Sequence, residues 1–393
     1  MKATREYLKR HNSELVLKTI YDHVEISRAD IARITRLTRT TVSEVVNNLI
    51  EDGLVEELGY GPSAGGTPPM IIRVVKDWRS IIGIDLANDE FRGGLINLRG
   101  EIEHWECVPI HDSDGEAAKA LIFQLIDQLM KHATRPVMGI GVGTPGFIDT
   151  QNGIVIEAVN LDWRQFPLQQ LLKDRYQVPV LISNDSQVAA LGEYTFGDPK
   201  DDSNLIVMKV GRGIGAGIVV DHHIYYGDGS HAGAIGHVVV KDEGDLCRCG
   251  HCGCLETVSS SRAIVKQCKK YAAMNPNSPL NQVADINKLS TDDVIQIYNN
   301  GDPAVIEIVH RAAHYLGVVI AHMIGSMNIN RFLISGSVSR FGEQFLDVIR
   351  KTVKARVLPA QLDGLRIEEA NLETEAIALG AAAMLMAKEL GIV

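Results

Sequence analysis

The chain has 393 residues, of which 45% are hydrophobic and 22% charged, with a formal net charge of −10. That length exceeds one ordinary core and implies two or three domains, and the balance is that of a globular chain rather than a disordered one. The acidic charge excludes a protein coated with nucleic acid over its whole surface, but it leaves room for a local basic reading face.

No apolar run reaches the roughly 18 residues of a membrane span. The opening MKATREYLKRHNSELV lacks an apolar signal core, and four of the six cysteines are crowded together instead of spread as a disulfide framework. These features point to the cytoplasm.

Residues 1–78 predict three helices and a short β-ribbon. Leu15, Val16, Ile20 and Val24 recur at helical spacing. In SRADIARITRL, Ser27 is the expected N-cap, with Ile31, Ile34 and Leu37 on the inner face. A helix from about Thr40 to Asp52 follows, burying Val42, Val45, Val46 and Leu49 and ending at Gly53. LVEEL and MIIRVV flank the Gly/Pro-rich GYGPSAGGTPP as two strands of a wing would. Together these form a winged helix-turn-helix, a module that reads double-stranded DNA with its third helix in the major groove. Arg28, Arg33, Arg36 and Arg39 cluster near the turn with only Asp30 opposing them. Arg28, Arg39, Thr40, Thr41, Ser43 and Asn47 are the candidate base or phosphate contacts, supplying charge and short hydroxyls.

From Arg79 short β-rich runs (IIGIDLA, GGLINL, MGIGVGTPG, VPVLISND, LIVMKVG, GAGIVV) alternate with helical stretches such as AAKALIFQLIDQLMKHA, the pattern of an α/β chain. Hairpin-like pairs recur over 81–102 and 205–225, which predicts two similar lobes with a ligand cleft between them. The first lobe is expected at 79–200 and the second at 201–373, with a C-terminal helix at 374–391 packing back on the first.

CRCGHCGC places four cysteines within residues 247–254, with His237 upstream and Glu256 just beyond. Nitrogen and sulfur donors at this density suit a closed tetrahedral metal site. A redox pair is the rival, but CGHC here lacks a βαβ opening. The residues alone leave Cys252 open, as a ligand or as an oxidisable thiol, while Cys107 and Cys268 read as small hydrophobes.

The segments GVGTPGFID (141–149), NLDW (160–163), SNDSQVAALGE (183–193), GRGIGAGIV (211–219), GAIGH (233–237) and CRCGHCGCLET (247–257) resemble the ROK family of repressors and sugar kinases, and the resemblance covers nearly the whole chain. It implies a two-lobed, actin-like ATPase body of sugar-kinase type behind the winged helix. It also implies a structural Zn2+ held by His237, Cys247, Cys249 and Cys254, and a sugar or derivative bound by Gly143, Asn160, Asn184, Asp185, His237 and Glu256. Asp185 stands where family kinases keep their general base; His237 would give one ring nitrogen to zinc and the other to a sugar hydroxyl. Assembly as a homodimer or a tetramer on operator DNA follows from the same resemblance.

Several positions depart from the kinase pattern. Asp85 is kept, but Ala87, Asn88 and Asp89 replace a phosphate-cradling Gly-Gly-Thr, and Arg212 replaces a threonine in the second glycine-rich turn. Ala234 stands where the family has a glutamate, a strong acceptor for sugar hydroxyls. The wing, AGGTPP, lacks the arginine that enters the minor groove, which shifts specificity to the recognition helix. The expectation is a sugar-responsive regulator, a repressor without kinase activity. A sugar kinase with a fused DNA-binding module and a zinc- or thiol-responsive regulator working through Cys252 are the alternatives.

Overall fold

A computed structural model describes residues 5–62, 68–86, 90–110, 113–197, 203–283 and 285–393. The chain opens with α1 (Arg5–His23), β1 (Ile26–Ser27), α2 (Arg28–Thr35), α3 (Arg39–Glu51), β2 (Val55–Tyr60) and β3 (Met70–Val74). Caps set the helix starts. The Ser27 hydroxyl accepts from Asp30 N–H at 3.1 Å to begin α2, and that of Thr38 accepts from Thr41 N–H at 3.2 Å to begin α3. Strands β2 and β3 form the expected wing, with β1 adding a third strand beside β3. Val16, Ile20, Ile31, Val42, Val46 and Ile72 are fully buried between the helices and this ribbon.

Val24, at helical spacing in the sequence, is 56% exposed, and Ile34, expected on the inner face, is 44% exposed. α1 stops at His23, and Val24 takes a left-handed φ of 61°, so it leaves the helical phase. α2 spans barely two turns, and of its side chains only Ile31 is fully buried.

Beyond the wing come β4 (Ser80–Asp85), β5 (Glu90–Ile96), β6 (Ile102–Pro109), α4 (Gly115–His132), β7 (Val137–Thr144), β8 (Phe147–Asp149), β9 (Ile154–Ala158), β10 (Trp163–Phe166), α5 (Leu168–Tyr176) and β11 (Val180–Asn184). Then follow α6 (Asp185–Phe196), β12 (Leu205–Val210), β13 (Ile214–Val220), β14 (His223–Ile224), α7 (Leu255–Ser259), α8 (Ser261–Met274), α9 (Thr291–Asn299), α10 (Pro303–Met327), β15 (Arg331–Ser335), α11 (Glu343–Lys354), β16 (Arg366–Glu369) and α12 (Ala376–Leu390).

Two five-stranded sheets have the same connectivity, β11-β7-β4-β5-β6 and β14-β13-β12-β15-β16. In each, the first three strands in sequence form an antiparallel meander and the fourth pairs parallel with the first. The chain packs into two compact units, Met1–Thr144 with Asn152–Ile182 and Ala378–Val393, and Pro145–Gln151 with Ser183–Ile377.

In the first unit, α12 lies against β4 and β7. Cβ atoms built on Gly83 and Gly141 would stand 2.1 Å from the Ala378 and Ala381 carbonyl oxygens, so only glycine admits the helix backbone there. The winged helix belongs to the same unit. Tyr21 O–H donates to Leu98 O at 2.8 Å, Arg99 donates back to Tyr21 O at 2.9 Å, and the Arg99 guanidinium sits 4.2 Å over the Tyr21 ring. Trp78 Nε1–H donates to Asp52 O at 2.8 Å.

The second unit contains α6, although the expected first lobe, 79–200, includes it. The reason is contact with β13: a Cβ on Gly217 would meet Ala190 Cβ at 2.3 Å, and one on Gly215 would meet Ser186 Oγ at 2.4 Å. Helix α10 is long and apolar enough to cross a membrane by length and composition. Its Leu316, Ile320 and Ile324 lie in a buried core with Phe332 of β15 and Phe345 of α11.

Candidate functional site

The DNA-reading candidates sit around the start of α3. Arg39 and Thr40 are exposed in its first turn, Thr41 and Ser43 are half-buried, and Asn47 is exposed further along. Thr41 Oγ1 lies 2.9 Å from the capping hydroxyl of Thr38. Arg28 is not free-standing: it donates to Asn47 Oδ1 at 2.9 Å and to Glu57 Oε1 at 2.9 Å. Glu57, on the wing strand β2, is therefore a second carboxylate opposing the arginines, beside Asp30, which pairs with Arg33 at 2.8 Å. The sequence reading recognised only Asp30, because Glu57 reaches Arg28 through the ribbon fold rather than through proximity in sequence. The wing tip Ala64-Gly65-Gly66-Thr67 lies outside the described residues.

The cysteine loop brings His237, Cys247, Cys249 and Cys254 together, with one donor atom from each within 4.8 Å of the others. Cys247 Sγ is 3.5 Å from His237 Nδ1, and Cys249 Sγ is 3.5 Å from Cys254 Sγ. A tetrahedral ion with about 2.3 Å bonds to sulfur and about 2.0 Å to nitrogen needs donor separations of roughly 3.5 to 3.8 Å, so the set fits a divalent metal. The hydrogen bond from the His251 backbone N–H pulls the Cys249 thiol down to about 6, whereas burial pushes Cys254 up to about 12. Cys252 is exposed, lies outside the converging set, and forms an isolated antiparallel β-bridge with Leu246.

The sugar candidates are divided between the units: Gly143 and Asn160 in the first, Asn184, Asp185, His237 and Glu256 in the second. Gly143 is buried in β7, its carbonyl accepting Leu86 N–H at 2.9 Å, and Asn160 is exposed. Asn184 caps α6 with its Oδ1 and donates its Nδ2 to Gly146 O at 3.0 Å. Glu256 Oε2 accepts Ile214 N–H at 3.1 Å, which fastens α7 to the glycine-rich turn. Ala234 is exposed beside His237.

Asp185 has a partner the sequence reading missed. Lys209 Nζ lies 2.5 Å from its Oδ2, with both side chains largely buried (17% and 11% exposed), while Oδ1 accepts Ser186 N–H at 2.9 Å. A lysine inside the otherwise apolar strand LIVMKV was the available signal, because a charge on a buried strand needs a counter-charge. In the second turn, Gly215 and Gly217 are explained by α6 packing, which removes two of the four glycines as evidence for a phosphate grip. Arg212 is exposed, and its carbonyl accepts from Arg262 at 3.0 Å. Ala87, Asn88 and Asp89, the altered first turn, lie outside the described residues.

The ROK family model matches residues 81–388. The chain belongs to the ROK family. A MarR family model matches residues 15–59. Among curated ROK relatives, the xylose repressor of Caldicellulosiruptor bescii is 35% identical over 384 residues, covering 96% of each chain. A glucokinase of Halalkalibacterium halodurans is 33% identical over 313 residues, covering 77% of this chain and 93% of its own. Among solved structures, a ROK family transcriptional regulator described as a homolog of the E. coli MLC protein superposes with a TM-score of 0.87 at 26% identity, covering 98% of both chains. The fold is thus the winged helix joined to a ROK sugar-kinase-like body that the sequence motifs implied.

Proposed function

We infer that this chain is a sugar-responsive transcriptional repressor. It binds operator DNA through Arg39, Thr40 and neighbouring residues of α3, acts in the cytoplasm as a homodimer or tetramer, and releases DNA when a sugar or derivative binds the ROK body. The observation that carries the reading is the union, in one chain, of an exposed α3 face with a ROK body, in an arrangement shared over 96% of its length with a xylose repressor. Xylose is accordingly the first effector to test. His237, Cys247, Cys249 and Cys254 hold a structural Zn2+, which supplies a rigid anchor for the loop ahead of Glu256.

Catalysis is not part of the reading. Asp185 accepts from the Lys209 ammonium and from Ser186 N–H, which takes up part of the accepting capacity that a general base offers to a substrate hydroxyl, and Arg212 stands in place of the threonine of the second turn. The glucokinase likeness favours the kinase alternative, and one experiment separates the two. Fluorescence anisotropy on DNA from the upstream region, at fixed salt because phosphate contacts make affinity salt-dependent, is run with xylose, glucose, N-acetylglucosamine and their phosphates. Release of DNA by one compound, with no ATP turnover on any of them, is expected. Sugar-dependent ATP consumption without an effect on DNA overturns the reading.

A further inference from the structure

Outside the cysteine loop and the sugar candidates, the first unit holds a second group of metal-ligating side chains. β6 is the outermost strand of its sheet, and α4 packs against it. Strand alternation puts His104 and Glu106 on one face of β6. That face lies under α4, because the residue paired with Glu106 is Gly93, whose Cβ position is 2.9 Å from Leu129 of α4. The last turn of α4 then delivers His132 to the same place.

The three donors converge. His104 Nε2 is 2.7 Å from Glu106 Oε1, His132 Nε2 is 3.8 Å from the same oxygen, and one donor atom from each residue lies within 4.8 Å of the others. The two imidazole rings stack with centroids 3.7 Å apart and planes 23° from parallel, so the half-exposed His132 ring must turn about its χ2 for a nitrogen of each ring to point at one ion. Donors around a six-coordinate or tetrahedral ion stand roughly 3.0 to 3.4 Å apart at bond lengths near 2.1 Å, and the observed pair of distances brackets that range. Among the described residues, Glu106 makes ion pairs with His104 and His132 alone, and Arg135, three residues beyond His132, is committed to Glu103 and Asp77. The C-terminal end of α4 adds its negative dipole end to the site.

We propose that His104, Glu106 and His132 form a second metal site, for a divalent late first-row transition ion such as Ni2+, Co2+ or Zn2+. Two neutral imidazoles and one carboxylate match that class and not Mg2+ or Ca2+, which take all-oxygen shells. His132 is 52% exposed, so the remaining coordination positions face solvent and the ion is exchangeable. Its effect is to staple the edge strand β6 to the end of α4, and by linkage to raise the stability of the folded chain.

The test is a calorimetric titration of the full-length, zinc-loaded protein with Ni2+, repeated on His132→Ala, His104→Ala and Glu106→Gln. The native chain is expected to take one more equivalent than each variant, and excess Ni2+ should raise its thermal midpoint more than that of His132→Ala. Co2+ bound in this equivalent should lack the thiolate-to-metal absorption of a cysteine site. His132→Ala changes a half-exposed side chain at a helix end, so its folding is not at risk. Equal stoichiometry in the native chain and the His132→Ala variant overturns the proposal, as does a second equivalent that carries thiolate absorption.

Discussion

The two five-stranded sheets share one connectivity and carry different chemistry. The first, β11-β7-β4-β5-β6, is in the unit with the winged helix, and its distinctive contacts are mechanical: α12 pressed on Gly83 and Gly141, and Tyr21 clasped to the β5–β6 turn. The second, β14-β13-β12-β15-β16, is surrounded by polar groups: the Asp185–Lys209 pair, Glu256 on the glycine-rich turn, and the histidine–cysteine loop. The two sheets of one strand order thus differ in what meets them. The winged helix is clasped to the first, which also has the His104–Glu106–His132 group at its edge, and the second carries the Asp185–Lys209 pair and the converging histidine–cysteine loop.

Substitutions around each sheet test how separate the two are. The largest effect is expected at Cys254, which is fully buried. Cys254→Ser should lose the metal and on the order of 4 kcal/mol of stability, since structural metal binding is coupled to folding. Metal analysis and thermal melting check this, and a chelator should reproduce the shift in the native chain. Lys209→Met comes next. Removing one partner of a largely buried pair strands Asp185 and should cost about 3 kcal/mol, and Asp185→Asn on top should recover part of it. Regional hydrogen exchange should place both losses in residues 183–377.

Gly141→Ala acts on the first sheet. Its new Cβ meets the Ala381 carbonyl, and overpacking of this kind costs about 2 kcal/mol. The exchange increase should fall on β7 and α12 and leave the metal content untouched. The smallest effect belongs to Thr38→Ala, which removes the α3 cap for about 1 kcal/mol. Operator affinity should drop by no more than about fivefold, with sugar response retained. If Thr38→Ala or Gly141→Ala abolishes metal binding at the cysteine loop, the separation of the two sheets fails.

Much of this was legible beforehand for stated physical reasons. Helix α3 was visible because Val42, Val45, Val46 and Leu49 recur at helical spacing after a capping hydroxyl, and the converging histidine and cysteines because four thiols in eight positions are a strong local pattern. The recurrence of the hairpins over 81–102 and 205–225 foretold the two sheets. What the sequence concealed was long-range. Glu57 reaches Arg28 across 29 positions and Lys209 reaches Asp185 across 24. His132 comes to His104 because a helix folds back over an edge strand, and no local spacing encodes that approach. The place of α6 depended on Gly215 and Gly217, which on the page look like phosphate glycines and in space are the floor under a helix.

The clasp between Tyr21 and Arg99 bears on how this chain could be re-engineered. A reading head exchanged at the end of the wing, near residue 75, would bring in a foreign first helix and leave behind the turn it must grip. Tyr21 contributes its ring, its hydroxyl and its carbonyl, and Leu98 and Arg99 answer all three. A graft meant to give this sensor a new operator therefore has two seams, one after the wing and one around residues 97–101. Moving both together would keep the transplanted head seated on its sheet.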